Sequence, residues 1–312
     1  MVAAALRTFV SGASVFALVS LFAFGLMALA PGDPARMALS ASGLDTPTPE
    51  EVAAKRAALK LDQPLPMRYL NWFVGVMRGN FGSSYRTAKP VYDMYLERLP
   101  ATLLFAACTL VATFVIALPC GIFSALYRGK WQDAWVQGMA VFSTAVPNFW
   151  LALILILIFA ATLNWLPALG SATPAGLVLT AIVAALPNIA TQSRLIRAAT
   201  LDALSEDYLL TAYAKGLGRY RAILRHAMPN IMASVCTALA LELAYLLTGS
   251  IVIETVFAYP GVGRLAVEAA LIGDMPVLAI CVLAAAGVYI FCNGLADMAL
   301  AWLDPRVTAR KL

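Results

Sequence analysis

Six apolar runs, each long enough to cross a bilayer, constrain this chain before anything else does. A helix needs about 20 mostly apolar residues to span the hydrocarbon core. No water is available there, so its backbone groups must pair with one another. The runs fall at about 8–30, 101–127, 137–163, 174–196, 231–256 and 275–303. Of the 312 residues, 62% are hydrophobic and only 12% charged, whereas a soluble domain carries about 25% charge. The predicted fold is an all-α integral membrane protein with six transmembrane helices. Its expected divisions are 1–30 as the first helix, 31–100 as a polar segment outside the membrane, and 101–312 as a five-helix core with a basic region at 200–230.

Charge in the connections sets the orientation. The N-terminus with Arg7, the 128–135 loop, the basic region with its flanks, and the tail with Arg306, Arg310 and Lys311 together carry twelve Lys and Arg. The segments 164–173 and 257–274 carry only Arg264. Cytoplasmic loops are enriched in cations, so both termini are predicted inside. The segment 31–100 is then external; with nine Lys and Arg against seven Asp and Glu it is nearly neutral, and too long to count in that rule. Ala28-Leu29-Ala30 looks like a signal-peptide cleavage site, but the run before it has 23 residues and Pro31 follows. A signal core has about 7–15 apolar residues, so the helix is expected to stay uncleaved.

Pro31-Gly32-Asp33-Pro34 should end the first helix. Thr48, Pro49 and Glu51 form a capping-box start for a helix to about Leu61. Met67 to Met77, with Trp72 and Phe73, predicts an amphipathic helix at the membrane surface. A further short helix is expected over Pro90 to Leu99. The segment reads as an outer cap without specific chemistry. Within the membrane, Pro147 and Pro187 should kink or break their helices. Broken helices in transporters line a pathway, because freed backbone groups must face protein or water. Glu242 is an acid inside an apolar run, where ionisation is costly. Pro147, Pro187 and Glu242 are the candidate path residues. Glu254 and Asp297 lie nearer the span ends and are expected to fix helix ends or loops.

Several chemistries are poorly served. Cys108, Cys120, Cys236, Cys281 and Cys292 all fall in apolar runs with no CxxC pair, which predicts reduced thiols. Gly129-Lys130 is no phosphate loop, since Ser124 and Trp131 stand where glycine and a hydroxyl residue are required. The basic residues form no stripe of the kind that binds nucleic acid. A single histidine, His226, is poor material for a membrane enzyme. A secondary transporter, a channel or a scaffold would leave the next feature unexplained.

That feature is the polar stretch Asp207 to Asn230, between the fourth and fifth runs. Ala212, Tyr213, Ala214 and Leu217 predict a short helix that Gly216 and Gly218 would end. Arg219 to Met228 predicts a second, stopped by Pro229. With Lys215, Arg219, Arg221, Arg225 and His226 it is too short and too charged to cross the bilayer. A helical knob built to touch something in the cytoplasm is expected.

The spacing of this knob resembles the cytoplasmic coupling motif of ABC importer permeases: Glu-Ala-Ala, three residues, Gly, nine residues, Ile, one residue, Leu-Pro. Thr211 and Ala212 fall at the alanines, Gly216 at the glycine and Pro229 at the proline, while Leu210, His226 and Met228 depart from the pattern. The chain is also similar to the peptide/opine/nickel subfamily at Leu61-Asp62-Gln63-Pro64, Phe81-Gly82-Ser83-Ser84, Leu99-Pro100-Ala101-Thr102-Leu103, Glu254 through Pro260-Gly261-Val262-Gly263, and Asp304-Pro305-Arg306. Pro147 to Ala152, Trp165 to Gly170 and the short 164–173 loop look closest to its nickel-importing branch.

The resemblance implies a bacterial inner-membrane permease with a second homologous permease, two ATP-binding subunits and a periplasmic substrate-binding protein as partners. ATP and magnesium would be bound by the ATPases, with no cofactor in this chain. Thr211, Ala212, Tyr213, Lys215, Gly216, Leu217, Arg219 and Pro229 would couple to the ATPase, with Tyr213 and Leu217 packing on it and Lys215 or Arg219 pairing with its acids. Glu254, Pro260, Gly261 and Gly263 would form a periplasmic turn. The cargo expected is nickel or a metal chelate, with di- or oligopeptide as the alternative. No apolar run holds a histidine and the cysteines are scattered, so a tight nickel site in this subunit is not expected.

Overall fold

The computed structural model describes residues 2–44, 46–167 and 174–303. The predicted outer residues Ala168-Leu169-Gly170, the rest of that connection to Thr173, and the closing Asp304-Pro305-Arg306 with Arg310 and Lys311 lie outside the described residues. So do the side chains of Arg219 and Asp297. Among the described residues the protein is helical throughout, apart from an isolated antiparallel bridge between Ser83 and Pro90.

Helix α1 (Val2–Leu29) ends before Gly32, whose φ of +108° turns the chain. Asp33 then caps α2 (Pro34–Ala41), its carboxylate accepting the Ala35 N–H at 3.0 Å. The predicted capping box is present: Thr48 Oγ1 and the Glu51 carboxylate each accept the other's backbone N–H at the start of α3 (Pro49–Ala58). Then come α4 (Leu65–Met77), α5 (Val91–Leu126), α6 (Trp131–Ala145) and α7 (Asn148–Leu155), the last continuing as a wider π-type turn over Ile156–Thr162. Helix α8 (Pro174–Leu204) leads to α9 (Asp207–Ala214) and α10 (Arg219–Ala222). A second π-type turn, Ile223–Ala227, joins α10 to α11 (Met228–Gly249). Helices α12 (Ile251–Val256), α13 (Val262–Ile272) and α14 (Met275–Leu303) complete the described residues.

Among the described residues four helical stretches are long and apolar enough to cross a membrane: Val10–Leu29, Val91–Leu126, Ala175–Leu204 and Met275–Leu295. A fifth is added if α6 and α7 with its π-type continuation count as one span; they meet at a bend of 102° beside Pro147. The fifth expected run, 231–256, is divided between α11, which ends at Gly249, and α12, which starts at Ile251.

Three expectations about proline are corrected. Pro187 lies inside α8 without breaking it. The missing N–H and the ring disturb the preceding turn, and there the Asn188 side-chain amide donates to the Ala184 carbonyl at 3.3 Å. Pro100 does not separate a short helix from a span, because α5 runs unbroken from Val91. Pro229 does not stop a helix; it sits in the first turn of α11, directly after the π-type turn over Ile223–Ala227.

The chain divides into two compact units. One holds residues 1–102 and 260–290. Its core gathers Val91, Val262, Leu265, Ala269, Val277 and Ile280. Helix α4 packs on α1 through Phe24, whose ring lies 5.5 Å from Tyr69 and 5.7 Å from Trp72, while Ser20 and Tyr69 share a hydrogen bond of 2.9 Å. The other unit holds 103–259 and 291–312. There α8 packs against α6, α7 and α11. Gly121 permits the approach of α5 to α8: a Cβ in its place would stand 2.7 Å from Ile196 and from the Ser193 carbonyl.

Candidate functional site: the basic knob and the polar groups behind it

The knob begins with α9 and is closed by hydrogen bonding that only a left-handed residue permits. Gly216 has φ +83°. Its N–H donates to the Tyr213 carbonyl at 2.9 Å and the Leu217 N–H to the Ala212 carbonyl at 3.2 Å. This is the paired termination of a Schellman motif, and a side chain at that φ is disfavoured. A Cβ there would meet nothing within 4 Å, so the demand for glycine comes from backbone conformation.

The knob is part of the membrane bundle. Leu209, Ala212, Ala222, Ile223 and Ala227 are buried in one cluster with Ala117 of α5, Ile196 and Ala203 of α8, and Ile231 and Val235 of α11. Tyr213 and Leu217 are partly buried against the same cluster, so both pack on the chain's own core. Exposed instead are Thr211, Lys215, Gly216, Arg221, Arg225, His226 and Pro229, with Leu224 as the outward apolar side chain. Among the described residues Lys215, Arg221 and Arg225 enter no ion pair.

Behind the knob, α8 is tied to α6. Asp133 accepts two bonds from Arg197, at 2.8 and 2.7 Å, as well as the Ser124 hydroxyl at 2.5 Å and the Gly129 N–H at 3.1 Å. Gln137 donates to Ser124 at 3.1 Å. This latch was not legible in the sequence, because nothing there pairs Arg197 with an acid 64 positions away.

Deeper in the same unit Glu242 is buried, at 7% exposure. Thr113 Oγ1 donates to one carboxylate oxygen at 3.0 Å and Gln192 Nε2 to the other at 3.2 Å, so three helices meet at the acid. Gln192 Oε1 is buried without a partner. The arrangement offers two neutral donors and no cation, which suits a polar crossing point between helices better than ion capture. An apolar cavity of about 210 Å³ in the same unit is lined by Cys120, Trp135, Met139, Leu151 and Leu186 among others, and neither Pro147, Pro187 nor Glu242 is among its lining residues. Among the described residues no three His, Cys, Asp or Glu converge as a metal site would need.

Glu254 is fully buried and accepts the Ser250 hydroxyl at 2.9 Å. Its carbonyl accepts the Tyr259 N–H at 2.7 Å, which closes α12 around Ala258 at φ +50°. Burial, and then the Glu254 carboxylate, push the Tyr259 phenol up to about 12. Gly261 precedes α13 in extended backbone, and the Val262 N–H donates to Thr102 Oγ1 at 2.8 Å. Pro260 and Gly263 flank that helix start half-buried.

Comparison with known proteins places the whole chain beside transport components. The family profile described as binding-protein-dependent transport system inner membrane component matches residues 117–309, and the profile of the N-terminal part of such components matches 1–106. A probable peptide ABC transporter permease of Sinorhizobium fredii is 34% identical over 97% of this chain and 98% of its own length. The glutathione transport system permease of Escherichia coli K12 is 33% identical over 93% of this chain and 94% of its own length. Among solved structures, the methionine ABC transporter MetNI in an inward-facing conformation matches with a TM-score of 0.60 at 16% identity, covering 69% of this chain and 99% of that chain. That last likeness concerns the fold.

Proposed function

This chain belongs to the family of binding-protein-dependent transport inner-membrane components, and from that membership we propose that it carries short peptides inward as one permease of an ATP-driven importer. It is a multi-pass inner-membrane protein of a non-catalytic family, in which ATP hydrolysis belongs to separate subunits. The reading assigns it a second homologous permease, two ATP-binding subunits and an external substrate-binding protein. It orients 207–230 to the cytoplasm and 31–100 outward, with six spans.

The observation that carries the reading is the knob: a basic, exposed pair of short helices closed by Gly216 and anchored in the bundle through Leu209, Ala212 and Ile223. A partner that moves it moves α8 and α11 with it, because all share one packed cluster. Thr211, Lys215, Arg219, Leu224 and Pro229 are assigned to the ATPase contact, and Tyr213, Leu217 and Ala212 to holding the lever rigid. Glu242 is assigned to the helices that move about the path.

For cargo, relatives named for peptide and glutathione transport favour the peptide reading, and the expectation of nickel gains no support from them. The test is uptake by the assembled importer in proteoliposomes with Gly216→Val. Uptake should fall at least tenfold while the ATPase subunits still hydrolyse ATP. Unchanged uptake removes the coupling role.

A further inference from the structure

The outer-cap segment, expected to lack specific chemistry, holds a second cavity. It has a volume of about 660 Å³ and lies within one unit. Its floor is apolar, built from Phe24 and Met27 near the end of α1, Trp72 of α4 and Pro276 at the start of α14. Its cations are Lys55, Lys60 and Arg68. Gln63 and Asn80 also line it, and each has its side-chain oxygen already engaged: Asn71 Nδ2 donates to Gln63 at 2.9 Å and the Gly82 N–H to Asn80 at 3.0 Å. Their side-chain amide N–H groups remain as donors toward the cavity. Among the described residues no Asp or Glu lines it. Two acids next to the wall are already engaged: Asp274, 2% exposed, holds the Ser84 hydroxyl and the Tyr85 N–H, and Asp62 lies 3.7 Å from Arg56.

Its setting points to an amphiphile. Phe24 and Pro276 belong to or adjoin helices that are long and apolar enough to cross the membrane. On α4, Tyr69 and Trp72 pack on α1, while Leu70, Val74 and Met77, spaced i, i+4, i+7, remain uncovered at 45% exposure or more. A helix apolar on both faces, with a cation at its rim, is at home in the interface between headgroups and acyl chains. Basic pockets beside membrane helices hold anionic headgroups by the same charge logic. We propose that this cavity binds the phosphate of an anionic glycerophospholipid, with Lys55, Lys60 and Arg68 on the headgroup and Phe24, Met27 and Trp72 against the glycerol and upper acyl chain. The proposal rests on the membrane location and not on the cargo, so its failure and the failure of the transport reading are separately visible.

The test uses the full chain in nanodiscs of equal parts phosphatidylglycerol and phosphatidylcholine, released and read by native mass spectrometry. Retained phosphatidylglycerol should exceed phosphatidylcholine. The combined Lys55→Gln, Lys60→Gln, Arg68→Gln variant should lower that retention roughly tenfold or more, since each cation near an anionic surface contributes severalfold. Arg56→Gln, a cation outside the cavity paired with Asp33 at 3.3 Å, should leave it unchanged. Excess soluble glycerol 3-phosphate should not displace the lipid. Equal retention of the two lipids, an unaffected triple variant, an equal loss with Arg56→Gln, or displacement by glycerol 3-phosphate would each overturn the proposal.

Discussion

At the scale of single residues, two of the positions with left-handed backbone have opposite consequences. Gly216 at φ +83° has space around it, so substitutions there should rank by backbone tolerance and not by volume. Gly216→Asn should be mildest, because asparagine visits this region readily, whereas Gly216→Ala should cost about 1–2 kcal/mol and Gly216→Val more. Uptake and thermal stability measured across the series should follow that order; a ranking by size would show that the glycine makes room for a partner instead. Ala258 occupies the corresponding position after α12, at φ +50°, with a side chain that opposes it. Ala258→Gly relieves that strain but adds freedom to the unfolded chain, so a net gain of about 0.5–1 kcal/mol is expected. A melting temperature that does not rise would contradict it.

At the scale of elements, the latch between α6 and α8 makes the sharpest prediction. Asp133 receives a two-bond fork from Arg197, and lysine cannot reproduce that fork. Asp133→Asn and Arg197→Lys should each destabilise by about 2 kcal/mol, since hydrogen bonds to charged groups contribute about 1.5–3. Because the two side chains share one interaction, the double variant should cost clearly less than the sum of the singles. Additive melting shifts would mean that each residue acts through other neighbours. Elements also show where sequence rules stopped. The capping box at Thr48 was legible because its partners are three residues apart. The continuity of α8 through Pro187 was not, because packing against α6, α7 and α11 keeps the helix intact.

At the scale of the whole molecule, the peptide reading predicts that cells lacking this chain lose uptake of labelled short peptide, glutathione included, while nickel accumulation is unchanged. Loss of nickel uptake alone would reverse the cargo assignment and leave the importer family intact. The sequence by itself determined that the chain is helical and membrane-bound, because apolar runs and cation-rich connections act through partition between water and lipid, a property of local composition. The knob was legible for a similar reason: Gly216 and the flanking cations act within a few residues of one another. Only the tertiary structure decided that Tyr213 and Leu217 face the chain's own core, that Asp133 meets Arg197, that Glu242 is shared by Thr113 and Gln192, and that the cap encloses a basic cavity. Each of these joins side chains far apart in the chain, and the packing of the helices, which local patterns do not encode, determines which of them meet.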